Sequence, residues 1–193
     1  MYDYSKKYNR RNLIMGIFSK VSGVDARFNK YKLSALDILN LVKAQAEALD
    51  RDFKSIMLEA NGEKDFYKSI KLYAFIAGAV MELQENKGLM EVRGWKIITL
   101  SKALEEIMLE NGHKVWDLHF FLTSGDKVLN TEAKAIYFFE RLSCWQGGRS
   151  VAIRIKQNDD INSRFNTTIF LDTLEADDGH YADYVSNKSP KFQ

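Results

Sequence analysis

The chain has 193 residues, 46% of them hydrophobic and 28% charged, which suits one substantial core or two small subdomains packed together. One proline and one cysteine exclude a Pro-rich linker protein and an intrachain disulfide framework, and no run approaches the ~20 apolar residues of a membrane span. Net charge is only +2, but residues 1–32 hold eight Lys/Arg against Asp3 and Asp25, leaving the remainder net negative.

The first segment, residues 1–32, reads as a basic arm. Tyr4 and Tyr8 interleave with Lys6, Lys7, Arg10 and Arg11, combining phosphate-neutralising charge with rings on which any base can stack. The same chemistry suits an acidic protein surface or a solvated tail. The apolar run "NLIMGIF" that follows is too short for a secretory leader. A cytoplasmic protein is expected, or one released by a route the sequence does not show.

Ser34 is a suitable N-cap for a helix continuing to Asn61-Gly62, with Ala35, Leu39, Val42, Ala46, Leu49, Phe53, Ile56 and Ala60 forming a stripe of 3.5-residue period. Such a seam fits an intramolecular bundle or a homo-oligomer formed through the 35–60 helix. A second helix, "DFYKSIKLYAFIAGAVMELQENKG", is apolar almost all round between Ile70 and Leu83 and is expected at the buried centre, stopping at Gly88. "LMEVRGWKIITLS" alternates around Arg93-Gly94 and predicts a β-hairpin over 89–100, before a helix from Ser101 to Asn111-Gly112. "IMLEANGEK" and "IMLENGHK" echo each other only as two helix ends with one stop signal.

Beyond residue 113 the pattern changes. "VWDLHFFL" has strand composition, and Thr131 caps a predicted helix that ends at Gly147-Gly148. "SVAIRIKQ" and "TTIFLDTLE" alternate about a polar loop, predicting an antiparallel hairpin. The fold expected is therefore α+β: an N-terminal helical bundle with a short β-hairpin (33–112), then a small mixed or antiparallel sheet with one packed helix and an acidic C-terminal segment (113–193).

"ELQENKGLMEVRGWKIITLSKALEEI" resembles the latter part of a winged-helix domain, over roughly a quarter of the helical half. The resemblance implies Arg93, Trp95 and Lys96 as wing residues touching DNA. The preceding helix, "IKLYAFIAGAVMEL", lacks the polar face such domains turn to the major groove, which favours a structural hairpin. "Ser-Cys-Trp" at 143–145 resembles the nucleophile region of papain-like cysteine proteases. There the cysteine starts a helix; here Cys144 is read as ending one, where the dipole disfavours thiolate, so a core cysteine is expected.

Asp117 and His119, two residues apart on a predicted strand, share a face, and Asp178 with His180 repeats the spacing. Brought together, the four would make a metal site for hydrolysis. Gly147-Gly148-Arg149-Ser150 precedes a predicted strand rather than a helix, so it does not read as a phosphate loop. No nucleophile–base pair or cofactor loop stands out, and no cofactor is expected. The leading reading is a non-catalytic regulatory protein acting through a protein partner, of the accessory, inhibitor or immunity type found in bacteria and phages. Sequence-independent nucleic-acid binding is the first alternative and a metal-dependent hydrolase the second. No membrane partner is expected.

Overall fold

The computed structural model describes residues 24–57, 66–113, 137, 139–157 and 164–179. Among them are the α-helices α1 (Val24–Ala48), α2 (Phe53–Ile56), α3 (Phe66–Glu85), α4 (Gly94–Glu110), α5 (Ser143–Lys156) and α6 (Arg164–Glu175), with a 3-10 turn at Leu89–Glu91; residues 137 and 139–141 are helical as well. No strand is present among the described residues, so the α+β expectation is overturned. The predicted hairpin over 89–100 is the 3-10 turn followed by α4, and both strands predicted after Gly148 are helical, in α5 and α6. In each case β-branched alternation competed with tertiary packing, and burial of one helical face decided the outcome. The strand predicted at "VWDLHFFL" lies outside the described residues.

α3 lies at the centre. From Leu72 to Ala77 and again from Ala79 to Met81 every side chain is buried, as the all-round apolar pattern predicts. It ends at Asn86, in the left-handed conformation (φ 53°), two residues before the expected stop at Gly88. α1 starts ten residues before the predicted cap. Ser34 is buried inside it, and its hydroxyl accepts a 2.7 Å bond from the Gln84 side-chain amide. Ala35, Leu39, Val42 and Ala46 do form a buried seam, spent within the chain because α1 packs on α4 and α3. The helix ends at Ala48, and Asp52 caps the separate short α2 through the N–H groups of Lys54 and Ser55.

The most extensive helix pair is α3 with α5. Gly147-Gly148, expected to end a helix, lies inside α5, and Gly148 sits against the backbone of α3. A methyl group at Gly148 would strike the carbonyl oxygen of Phe75, and one at Gly78 would strike that of Trp145. Each helix thus supplies a glycine where the other presents backbone, which brings the two axes unusually close. Gly78 with Trp145, Glu82 with Arg149 and Asn86 with Lys156 follow in ascending order on both helices, so α3 and α5 run in the same direction.

α1 and α4 also run side by side in one direction, linked by Lys32 to Glu106 and Glu110 and by Lys43 to Asn111. Aromatic edges join the remaining parts: Phe170 of α6 lies 5.1 Å from Phe75, and Phe139 lies 5.3 Å from Trp145. The buried core is continuous from α1 through α6.

Candidate functional site

The two ends of α3 carry the charged groups buried in the core. At its start, Lys71 is almost fully buried and donates to the carbonyls of Leu174 (2.8 Å) and Ala176 (2.6 Å), satisfying the end of α6. Asp178 follows on the chain. Its Oδ1 accepts the Ser143 N–H at the start of α5 (2.7 Å), and its Oδ2 lies 3.9 Å from the Lys71 ammonium. Cys144, in the first turn of α5, donates its thiol to the Thr173 carbonyl at 3.2 Å. That corrects the expected position of Cys144 at a helix end. Burial nevertheless pushes its thiol up to about 12, because no water reaches the sulfur to solvate a thiolate. This node fastens three helix ends together.

The other end is arranged differently. Glu82 and Glu85, one turn apart on α3 and both with almost fully buried side chains, reach different neighbouring helices. Glu82 accepts from Arg149 (2.9 Å) and Lys156 (2.9 Å) of α5. Glu85 accepts from Arg27 and Tyr31 of α1 and from Lys96 of α4, the tyrosine at 2.6 Å. Burial alone would raise both carboxyls, but the converging cations outweigh it and hold each below the ordinary carboxylate range. Tyr31 is driven upward, first by its own burial and then by its bond to Glu85.

The cations keep one flank in water, and Trp95 lies across it. Its ring sits 5.5 Å from the Arg27 guanidinium and 5.9 Å from the Lys96 ammonium, while 39% of the residue stays exposed. Met90, in the 3-10 turn, is 61% exposed. Arg93 and Lys87 are exposed beside them and make no ion pair with another described residue. The backbone of this turn is held by Glu140, whose Oε1 accepts the Leu89 N–H at 2.5 Å. Burial raises the Glu140 carboxyl against the opposing effect of that bond and of Arg149.

Of the residues singled out from sequence, Arg93, Trp95 and Lys96 therefore come together, on a helix start rather than a β-wing. Arg27 joins them from the basic N-terminal segment, a partner that sequence alone did not indicate. Tyr4, Lys6, Lys7, Tyr8, Arg10 and Arg11 lie outside the described residues. So do Asp117, His119 and His180. Asp178 is already engaged by Ser143 and Lys71, and among the described residues no group of three His, Cys, Asp or Glu is placed to hold a metal ion. His113 packs edge-on against Phe53, 5.9 Å away. No helix among the described residues is long and apolar enough to cross a membrane. A shallow hollow of about 630 Å³ between α2, α3 and α6 is lined mainly by charged side chains, Arg51 and Glu175 among them.

No protein-family model, curated protein or solved structure matches the chain.

Proposed function

We propose that this chain is a non-catalytic binding protein, regulatory or inhibitory in role, that engages a protein partner through the surface formed by the α3–α4 turn and the first turn of α1. The observation that carries the reading is Trp95, exposed at the start of α4 with Met90 and Arg93 on the preceding turn, whose backbone is held at Leu89 by Glu140. Tryptophan, methionine and arginine are the types enriched at the centres of protein interfaces, and a preorganised anchor loses little freedom on docking.

The test is affinity capture with the full chain and with Trp95→Ala, followed by binding measurements on the purified candidate partner. Loss of about 2 kcal/mol, near thirtyfold in affinity, is expected for a central tryptophan. An unchanged affinity sinks the reading.

Sequence-independent nucleic-acid binding is the second reading, favoured by the approach of Arg27 to Trp95 and Lys96. Against it, Arg27 and Lys96 are committed to Glu85, Arg149 and Lys156 to Glu82, and the Trp95 ring is already flanked by two cations. A phosphate backbone needs a track of uncommitted charge. Titration of labelled single- and double-stranded oligonucleotides at low and high salt decides: salt-sensitive binding that exceeds protein capture would replace the first reading with this one.

A further inference from the structure

The surface around Trp95 continues onto a second element. Residues 137 and 139–141 are helical, and Glu140 fastens them to the α3–α4 turn. Its Oε1 accepts the Leu89 N–H, and a methyl group on Gly88 would meet the same oxygen at 2.8 Å. The chain positions next to this contact are exposed. Lys87 precedes Gly88 and Arg141 follows Glu140, each about 3.8 Å of backbone away. Met90 follows Leu89, and Tyr137, 44% exposed, stands one helical turn before Glu140 on the same face. The Arg141 guanidinium lies 5.0 Å from the Tyr137 ring, so this element repeats the pairing of cation and aromatic ring found at Trp95.

Charge at this contact is one-sided. Lys87, Arg93 and Arg141 are exposed and make no ion pair among the described residues. Glu140 is spent on the backbone of the turn, and Glu91, the exposed carboxylate of that turn, reaches back to the Gly88 N–H. Cations that nothing inside the molecule pairs can take carboxylates from outside without breaking an internal bridge.

We propose that the α3–α4 turn and the helical segment carrying Tyr137 and Arg141 form one bipartite docking surface for an acidic segment of a partner protein. Carboxylates of that segment meet Lys87 and Arg93 from the turn and Arg141 from the helical segment, while its apolar side chains pack on Met90, Trp95 and Tyr137. The Glu140 bond sets the two elements in register before docking, so little freedom is lost when the partner spans them. The proposal rests on the reading of the Trp95 surface as a protein interface and adds to it a second element and the charge of the partner. An acidic polypeptide fits better than a nucleic acid because Met90 offers exposed apolar area that a phosphate backbone would leave unused. Both aromatic rings, moreover, already carry cations where a base would stack.

The experiment measures anisotropy of three labelled probes against the full chain. They are a short Asp/Glu-rich peptide containing one Leu and one Phe, the same peptide with Asn/Gln replacing every acid, and a single-stranded oligonucleotide of equal length. Tightest binding of the acidic peptide, weakening as salt rises, is expected. Two charge reversals probe the two elements separately, Arg93→Glu on the turn and Arg141→Glu on the helical segment. Each should lose about tenfold or more in affinity for the acidic peptide. Both side chains are exposed and outside the core, so both variants keep their fold, checked by their thermal transitions.

Equal binding of the acidic and neutral peptides overturns the proposal, as does binding of neither. Full affinity in Arg141→Glu overturns it too, because the surface then ends at the turn. Tighter binding of the oligonucleotide assigns the surface to nucleic acid instead. The two levels fail separately. If capture of the natural partner depends on Trp95 but neither on Arg141 nor on salt, the interface stands and the bipartite acidic site falls. If capture ignores Trp95, both fall.

Discussion

The two ends of α3 solve the same problem in opposite ways. At the start a single cation, Lys71, is drawn fully inside and spends its donors on helix-end carbonyls and a buried carboxylate, so no charged flank meets water. About 21 Å further along the helix, where Glu85 lies, the carboxylates are inside and the cations half outside, with a tryptophan across them. A cation held among carbonyls cannot meet a partner. A cation paired from within and wet from without still presents charge and an apolar rim. One end serves the fold, and the other serves the fold and also offers a surface.

Breaking the closed end should have the largest effect. Lys71→Met strands the carbonyls of Leu174 and Ala176 and leaves Asp178 buried without its cation. About 3–5 kcal/mol of stability should be lost, read as a shift of the urea midpoint. Cys144 reports the same event from close by. In the native protein its thiol should react with a thiol reagent at pH 8 no faster than the chain opens, and in Lys71→Met at least tenfold faster.

The open end should yield less. In Glu85→Gln the cations are free to hydrate, so a loss of about 1–2 kcal/mol is expected, with Arg27 and Lys96 no longer held together. Its pH dependence sharpens the contrast. Glu82 and Glu85 titrate below the ordinary 4.5 when folded, so the unfolded chain takes up their protons first. Their contribution is therefore whole above pH 4.5 and is lost as pH falls through the folded-state values. Thermal melts between pH 7 and 3 should show this acid limb, and the Glu82→Gln, Glu85→Gln double variant should flatten it. Trp95→Ala should cost least, under about 1 kcal/mol, because only two partly wet cation–π contacts are lost. A larger loss would place Trp95 with the core and remove the distinction between the two ends.

The helical stripe of α1 and the apolar α3 are legible in the sequence because one period dominates each. Where β-branched residues alternate by chance, as in "VAIRIK" and "WKIITL", a helix buried on one face is indistinguishable from a strand without knowing what covers it. Gly147-Gly148 was misleading for a related reason. A glycine pair is a stop signal only when nothing occupies the space its missing side chains leave, and here the α3 backbone fills it. The clue lay 70 residues earlier, in Gly78 at the centre of α3. Arg93, Trp95 and Lys96 stand out as local chemistry whatever element carries them. Glu85, which gathers Arg27 and Lys96, is an ordinary acid in sequence and acquires its role only when residues 58 apart meet.

The reciprocal glycines of α3 and α5 have a mechanical consequence. A side-chain carbon in place of either Gly78 or Gly148 would be driven into a facing carbonyl oxygen. The two helices cannot slide along each other, and they act as a strut of fixed length. That strut joins the tryptophan end of α3 to the far end, where Lys71 and Asp178 hold three helix ends in one knot.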